Sequence, residues 1–282
     1  MELKSLIDQP SKLPTIPKVT QKLIESFSSE DTTVHDIGEQ IATDPALSAK
    51  LLRLANSAFF HVSRTIGTVD DALRMLGFVM VRNLVLGNGM VAAFRNTPGL
   101  DMAQFWRYNL HTACASRWLA QRADLNGDMA FTLGLLHAIG QLQMHVVIPA
   151  DMAKIDKDCK VLDGSRAQVE STALGFHYGE VSAELAKIWN FPSPLTAALR
   201  SIPDPLAASE FSEAAAVVHL GAWAARMEAL ACSEADMVAS YPSDVAARLG
   251  MDGGWIPALK QGSSQPMPPL KELTSGLEEM LH

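Results

Sequence analysis

"DPALSAKLLRLANSAFF", residues 44–60, reads as a helix before it reads as anything else. Asp44 is a natural N-cap, and Pro45 takes the first helical position, where its missing N–H has no intrahelical partner to lose. Leu47, Leu51, Leu54, Ala55 and Ala58 then recur at the spacing of one buried helical face; Ala58 lies outside the residues the structure describes. Asn56 and Ser57 break that stripe. They either cap the helix end and fix the following loop by hydrogen bonds within the chain, or contact a ligand.

The same grammar extends in both directions. Ile16, Val19, Leu23, Ile24 and Phe27 share a face, and in "TVDDALRMLG" (68–77) Thr68 caps a stripe of Val69, Ala72, Leu73 and Leu76 that Gly77 stops. Further helices are expected over about 105–122, 128–146, 166–190, 194–201 and 213–230. No stretch alternates with a period of two between turn dipeptides, so no strand is predicted and the fold class is all-α. "RNTPGLD" (95–101) marks a break. The expected organisation is a helical lobe over 1–97, a second over 98–250, and a Gly/Pro/Ser-rich tail with a short terminal helix over 251–282. Trp106, Trp118, Trp189, Trp223 and Trp255 mostly sit in apolar helices and read as core.

Composition narrows the function. Hydrophobic residues make up 48% and charged residues 19%, as in a globular domain with a real core. No uninterrupted apolar run approaches the ~20 residues of a membrane span, and the N-terminus lacks the basic flank and apolar core of a signal peptide. Neither a membrane nor an export route is expected. Cys114, Cys159 and Cys232 form no CxxC pair, which fits a reducing cytoplasm. A net charge of −8 disfavours nucleic acid as a partner. The charge is uneven, however. Residues 46–96 hold six bases against Asp70 and Asp71, a local balance of +4. Arg53 and Arg82, with Asn56 beside them, are the candidates there for an anion or interaction surface. No nucleophile elbow, phosphate loop or dinucleotide fingerprint occurs.

"LPTIPKV" (13–19), "IATDPALSAKLLRLANSAFF" (41–60) and "TIGTVDDALRMLGFVMVRNLVL" (65–86) together resemble the N-terminal signature of HDOD domains, bacterial signalling modules related to HD-type metal phosphohydrolases. The resemblance implies that the second lobe is a helical bundle shaped like an HD phosphohydrolase. There, imidazoles and carboxylates would gather divalent metals that acidify a water and polarise a phosphoryl oxygen. It places the first HD histidine on His111 of "FWRYNLHTACASRWLA", and the His-Asp doublet on His137 and Ala138 of "GLLHAIG". A further histidine position falls on Tyr178, with His177 beside it, and the last metal aspartate on Ala222 of "VVHLGAWAA". Ser201 and Ile202 stand where many relatives have two histidines.

Both aligned carboxylates are therefore methyl groups, and two neutral imidazoles without an anion make a poor metal site. Rescue would need Glu170, Glu180, His177 or His219 to turn inward. His137 is read as a relic on the inner face of a degenerate site, and no cofactor is expected. The function expected is a non-catalytic signal-transduction module, a scaffold or regulator for signalling proteins whose identity the residues do not give. Two alternatives stand beside it. One is a metal-dependent phosphohydrolase with a rebuilt site, and the other a sensor that takes a nucleotide or other anion in the vacated pocket.

Overall fold

The computed structural model describes residues 2–278 except 28–33, 58–59, 61, 63, 260–261 and 263–264. Among these the regular structure is entirely helical. The first five α-helices are α1 (Leu3–Ile7), α2 (Lys18–Glu25), α3 (Val34–Ala42), α4 (Pro45–Ala55) and α5 (Val69–Ala93). Next come α6 (Met102–Arg122), α7 (Gly127–Leu136), α8 (Ile139–Val147), α9 (Pro149–Asp158), α10 (Arg166–Leu174) and α11 (Tyr178–Ile188). The chain closes with α12 (Ser193–Ser201), α13 (Glu213–Ala229), α14 (Glu234–Ser240), α15 (Ser243–Arg248) and α16 (Leu270–Leu273).

Local chemistry sets many of the starts. Asp44 accepts hydrogen bonds from the Ala46 and Leu47 N–H groups, Thr68 from Asp71, Asp101 from Gln104 and Ser212 from Ala215. Each satisfies donors that the first helical turn cannot satisfy itself. α5 is two helices joined at Gly77, whose φ of 76° interrupts the helical backbone. By length and composition α5 could cross a membrane, a property the run-length reading of the sequence overlooked. Half of its apolar window is buried inside the chain.

The chain divides into two compact units whose borders differ from the expected 1–97, 98–250 and 251–282. One unit takes residues 1–13, 97–186 and 193–273; the other takes 14–96, 187–192 and 274–282. The N-terminal residues join the first unit for specific reasons. Leu6 and Ile7 are buried, Lys12 Nζ donates to the Val147 carbonyl (3.1 Å), and Gln143 Nε2 donates to the Lys12 carbonyl (3.2 Å). In the second unit, Phe191 is recruited by ring contact with Phe27 at 5.8 Å.

The described residues of 251–273 are a structural part of the first unit rather than an extended tail. Trp255 is fully buried, and its ring meets Trp223 at 6.0 Å and Tyr241 at 5.9 Å. Its Nε1 donates to the Tyr241 hydroxyl at 3.1 Å. Leu270 is buried as well. The segment is rich in Gly, Ser and Pro, but one large buried indole anchors it.

Two expected helices are each broken in two. Residues 127–147 divide at His137–Ala138, and 166–188 divide at Gly175–His177. A Trp255→Ala substitution is expected to lower unfolding stability by about 3–5 kcal/mol in urea titrations, the cost of emptying a large aromatic site. A change below about 0.5 kcal/mol would mean that the segment does not pack as described.

Candidate functional site

The site begins with how closely two long helices approach. A Cβ on Gly221 of α13 would overlap the Ser116 hydroxyl of α6 and lie 2.9 Å from the Ser116 nitrogen. Only glycine lets the helices come that near. The seam brings Tyr108 and Ala115 of α6 into one apolar cluster with Ala222 and Ala225 of α13, Leu162 and Leu270. Ala222, the position assigned to the last metal aspartate, thus has its methyl group among hydrocarbon. A carboxylate there would require the cluster to open.

The second relic position lies at the α7–α8 break. His137 and Ala138 are both about 1% exposed. Where the helix breaks, one hydroxyl serves both freed backbone groups: Ser182 Oγ donates to the His137 carbonyl (3.0 Å) and accepts from the Gly140 N–H (2.8 Å). His137 Nδ1 lies 2.7 Å from the Gly134 carbonyl, which can only accept, so the ring proton is on Nδ1. The Nε2 lone pair is left buried without a hydrogen bond. Its ring stands edge-on to Tyr108, centroids 5.2 Å apart. Burial pushes the imidazole pKa down to about 4, the Arg226 charge pushes the same way, and the Gly134 bond opposes them.

Arg226, which sequence reasoning passed over, is a cation of this region. It follows Ala222 by one helical turn on α13. Burial works against its charge; Tyr108, Tyr178, a hydrogen bond with Tyr108, and Asp163 outweigh that and hold its pKa above the ordinary value. Its Nη1 lies 3.3 Å from the point where a Cβ on Gly164 would stand, so the absence of a side chain at 164 leaves the guanidinium its space. Tyr178, on the position assigned to a further histidine, is buried, and that burial pushes its phenol well above its usual pKa. Its neutral hydroxyl is no substitute for an imidazole.

The remaining candidates are committed elsewhere. His111 pairs with Glu228 at 3.6 Å, a different partner from those of His137. Glu170 is fully buried and accepts from Arg166 Nε (2.7 Å) and the Tyr178 N–H (2.8 Å); burial raises its pKa against the pull of Arg166. Glu180 bonds the His177 N–H and pairs with Arg200. His177 Nδ1 accepts from the Gly179 N–H, and His219 Nδ1 bonds the Ile202 carbonyl at 2.8 Å. Burial lowers the pKa of both rings. Among the described residues, no group of three or more His, Cys, Asp or Glu side chains could hold a metal ion. The residues present do not fit the metal site that the HD resemblance implies. A cleft of about 550 Å³ in the same unit is lined by Gly164, His177, Arg200, Ser201 and Asp204 among others.

In the other unit, each residue of the expected interaction or anion surface has a definite place. The Asn56 amide donates to the Leu52 and Ile66 carbonyls and accepts from the Ile66 N–H, so it fixes the loop after α4. Arg82 lies over the Phe27 ring, 3.9 Å from its centroid. Arg53 is exposed.

The comparisons agree on the class. The chain belongs to the HDOD domain family, whose match runs over residues 13–205. A Shewanella amazonensis protein provisionally called a phosphohydrolase is 31% identical, covering 98% of this chain and 96% of its own, with a TM-score of 0.75. An HDOD domain protein of unknown function from Geobacter sulfurreducens is 22% identical over 88% and 87% of the two chains, TM-score 0.69. A Marinobacter aquaeolei protein provisionally called a signal transduction protein is 24% identical, covering 96% of this chain and 58% of its own, TM-score 0.68. These last two share the fold. An uncharacterized Treponema pallidum protein is 24% identical over 201 residues, 70% of this chain; the match spans 38% of that protein's length.

The lowered His137 pKa makes a pH prediction. From the usual 6.5 down to about 4, the unfolded chain takes up a proton that the folded imidazole refuses. The associated stability is complete above pH ~6.5 and is lost as pH falls toward 4, up to roughly 3 kcal/mol. Urea unfolding at pH 7, 5.5 and 4.5 should show this acid loss reduced in His137→Asn. Parallel profiles for the two proteins would contradict the burial of a neutral ring.

Proposed function

We propose that this chain is a non-catalytic member of the HDOD family, a cytoplasmic signal-transduction module that acts as a scaffold or regulator for other signalling proteins. One observation carries the reading. At the two positions where the HD resemblance calls for carboxylates stand the buried methyl groups of Ala138 and Ala222, and each side chain that could replace them already has a partner. Metal-assisted phosphoryl cleavage needs an anionic ligand set to hold its ion and generate hydroxide. The family membership and the shared fold with the Marinobacter aquaeolei protein support a signalling role. Cys114, Cys159 and Cys232 form no disulfide, which suits a reducing compartment.

The name given to the Shewanella amazonensis relative favours the rival reading, a phosphohydrolase with a rebuilt site. A direct assay separates the two. Phosphomonoester and phosphodiester substrates, supplied with Mn²⁺, Mg²⁺, Ni²⁺, Zn²⁺ or Fe²⁺, should show no turnover above a protein-free control. Metal-stimulated hydrolysis that disappears in His137→Ala would defeat the non-catalytic reading.

A further inference from the structure

The chain turns by 119° between the helix that ends at Val147 and the one that begins at Pro149, with Ile148 alone between them. Across that bend His145 of α8 meets Asp156 of α9. The imidazole is buried, and both of its nitrogens face oxygen. Nδ1 lies 2.7 Å from the Gln141 carbonyl, which can only accept, so Nδ1 carries a proton. Nε2 lies 3.1 Å from Asp156 Oδ2. A nitrogen lone pair and a carboxylate oxygen repel each other at that distance, so a second proton sits between them.

Arg166 decides which atom holds that proton. Its guanidinium is buried and donates from Nη1 to Asp156 Oδ1 at 2.7 Å and to the Cys159 carbonyl at 2.6 Å. Its Nε bonds Glu170 Oε1, and Glu170 Oε2 accepts from the Tyr178 N–H. A carboxylate already gripped by a guanidinium is the acceptor of the pair, so the proton belongs to the imidazole. Four charges then alternate through α8, α9 and α10: His145, Asp156, Arg166 and Glu170. They sum to zero. Without the imidazole proton, one arginine would face two carboxylates in a place with little water to screen them.

We propose that the His145 proton is a latch on this bend: while it is present, α8 and α9 are fastened beneath a cavity of about 360 Å³, and its loss as pH rises loosens the α9 side of that cavity. One wall of the cavity carries Gly99, Asp101 and Phe105, and the other carries Asp156, Lys160 and Leu162. The His145 ring serves both. Its Cδ2 lies 3.8 Å from the point where a Cβ on Gly99 would stand, and its Nε2 holds Asp156. The Asp156 side chain is 22% exposed, which gives solvent a route to the pair. Gln141 Nε2 donates to the Val161 carbonyl at 3.2 Å, a tie without a titrating group, so the wall loosens rather than detaches. The other charged groups around the bend are Lys160, whose ammonium bonds the Asp156 carbonyl, Asp101 in the opposite wall, and Lys12, which bonds the Val147 carbonyl. The Cys159 thiol is pushed up by burial. Among these side chains the imidazole is the type that ordinarily changes charge between about pH 5 and 8. The sign is opposite to that of His137: this contribution is present at low pH and lost as pH rises.

The test compares the full-length wild type with Asp156→Asn, in which an amide donates to a neutral Nε2 and no shared proton remains to be lost. Ring ¹⁵N NMR counts the protons on His145, with His145→Gln identifying its signals. Amide hydrogen exchange, normalised to the intrinsic rate at each pH, follows opening of α9 against α6 between about pH 5 and 9. In wild type both ring nitrogens should be protonated at the acid end. Protection of the α9 amides should then fall about tenfold as the Nε2 proton leaves, with α6 unchanged. In Asp156→Asn the α9 protection should not follow pH. If that variant does not fold, His145→Gln, which cannot titrate, takes its place with the same expectation. A wild-type ring with a single proton at the acid end overturns the proposal, as does one that keeps both protons throughout. Loss of the proton with no change at α9 overturns it too, and so does a pH step at α9 that survives in the variants, since a purely structural contact would give no such step.

Discussion

The close approach of α6 and α13 is the constraint from which the site follows. Gly221 allows the two backbones to meet where any side chain would strike Ser116. At that separation the seam has room for methyl groups at 222 and 225 and for the Tyr108 ring. Arg226 lies one turn further along α13, where burial works against its charge and Tyr108 and Tyr178 support it.

The α7–α8 break supplies the other wall. A helix that stops at His137 and restarts at Ile139 frees backbone groups in a buried place, and such groups are costly unless paired. Ser182 pairs the carbonyl of His137 and the amide of Gly140 through a single hydroxyl. The imidazole is fixed by its own contact with the Gly134 carbonyl. The result is a packed break in which His137 and Ala138 are both buried.

Much of the fold was legible because local rules govern it. The Leu47–Leu51–Leu54 stripe, the Asp44 and Thr68 caps and the stop at Gly77 involve residues within a turn or two of one another. The helix breaks at His137–Ala138 and Gly175–His177 were not legible. At the first, the decisive partner is Ser182, 45 residues from the carbonyl it bonds. The units were misdrawn for the same reason. Lys12 is held by Val147, and Trp255 by Trp223 and Tyr241, pairings that composition does not reveal. Within the site, the positions of His137, Ala138 and Ala222 could be found from motif resemblance. Arg226 could not, because an arginine in "GAWAARMEA" looks like a solvated helix face until Tyr108 and Gly164 are seen around it. Its one sequence signal is the four-residue spacing from Ala222.

A crystal of the wild-type protein grown or soaked in Mn²⁺ and examined at an anomalous-scattering wavelength tests the central claim most directly. The account predicts no anomalous peak at His137 Nε2, with the ring still held by the Gly134 carbonyl through Nδ1. A manganese peak coordinated by that nitrogen would contradict it.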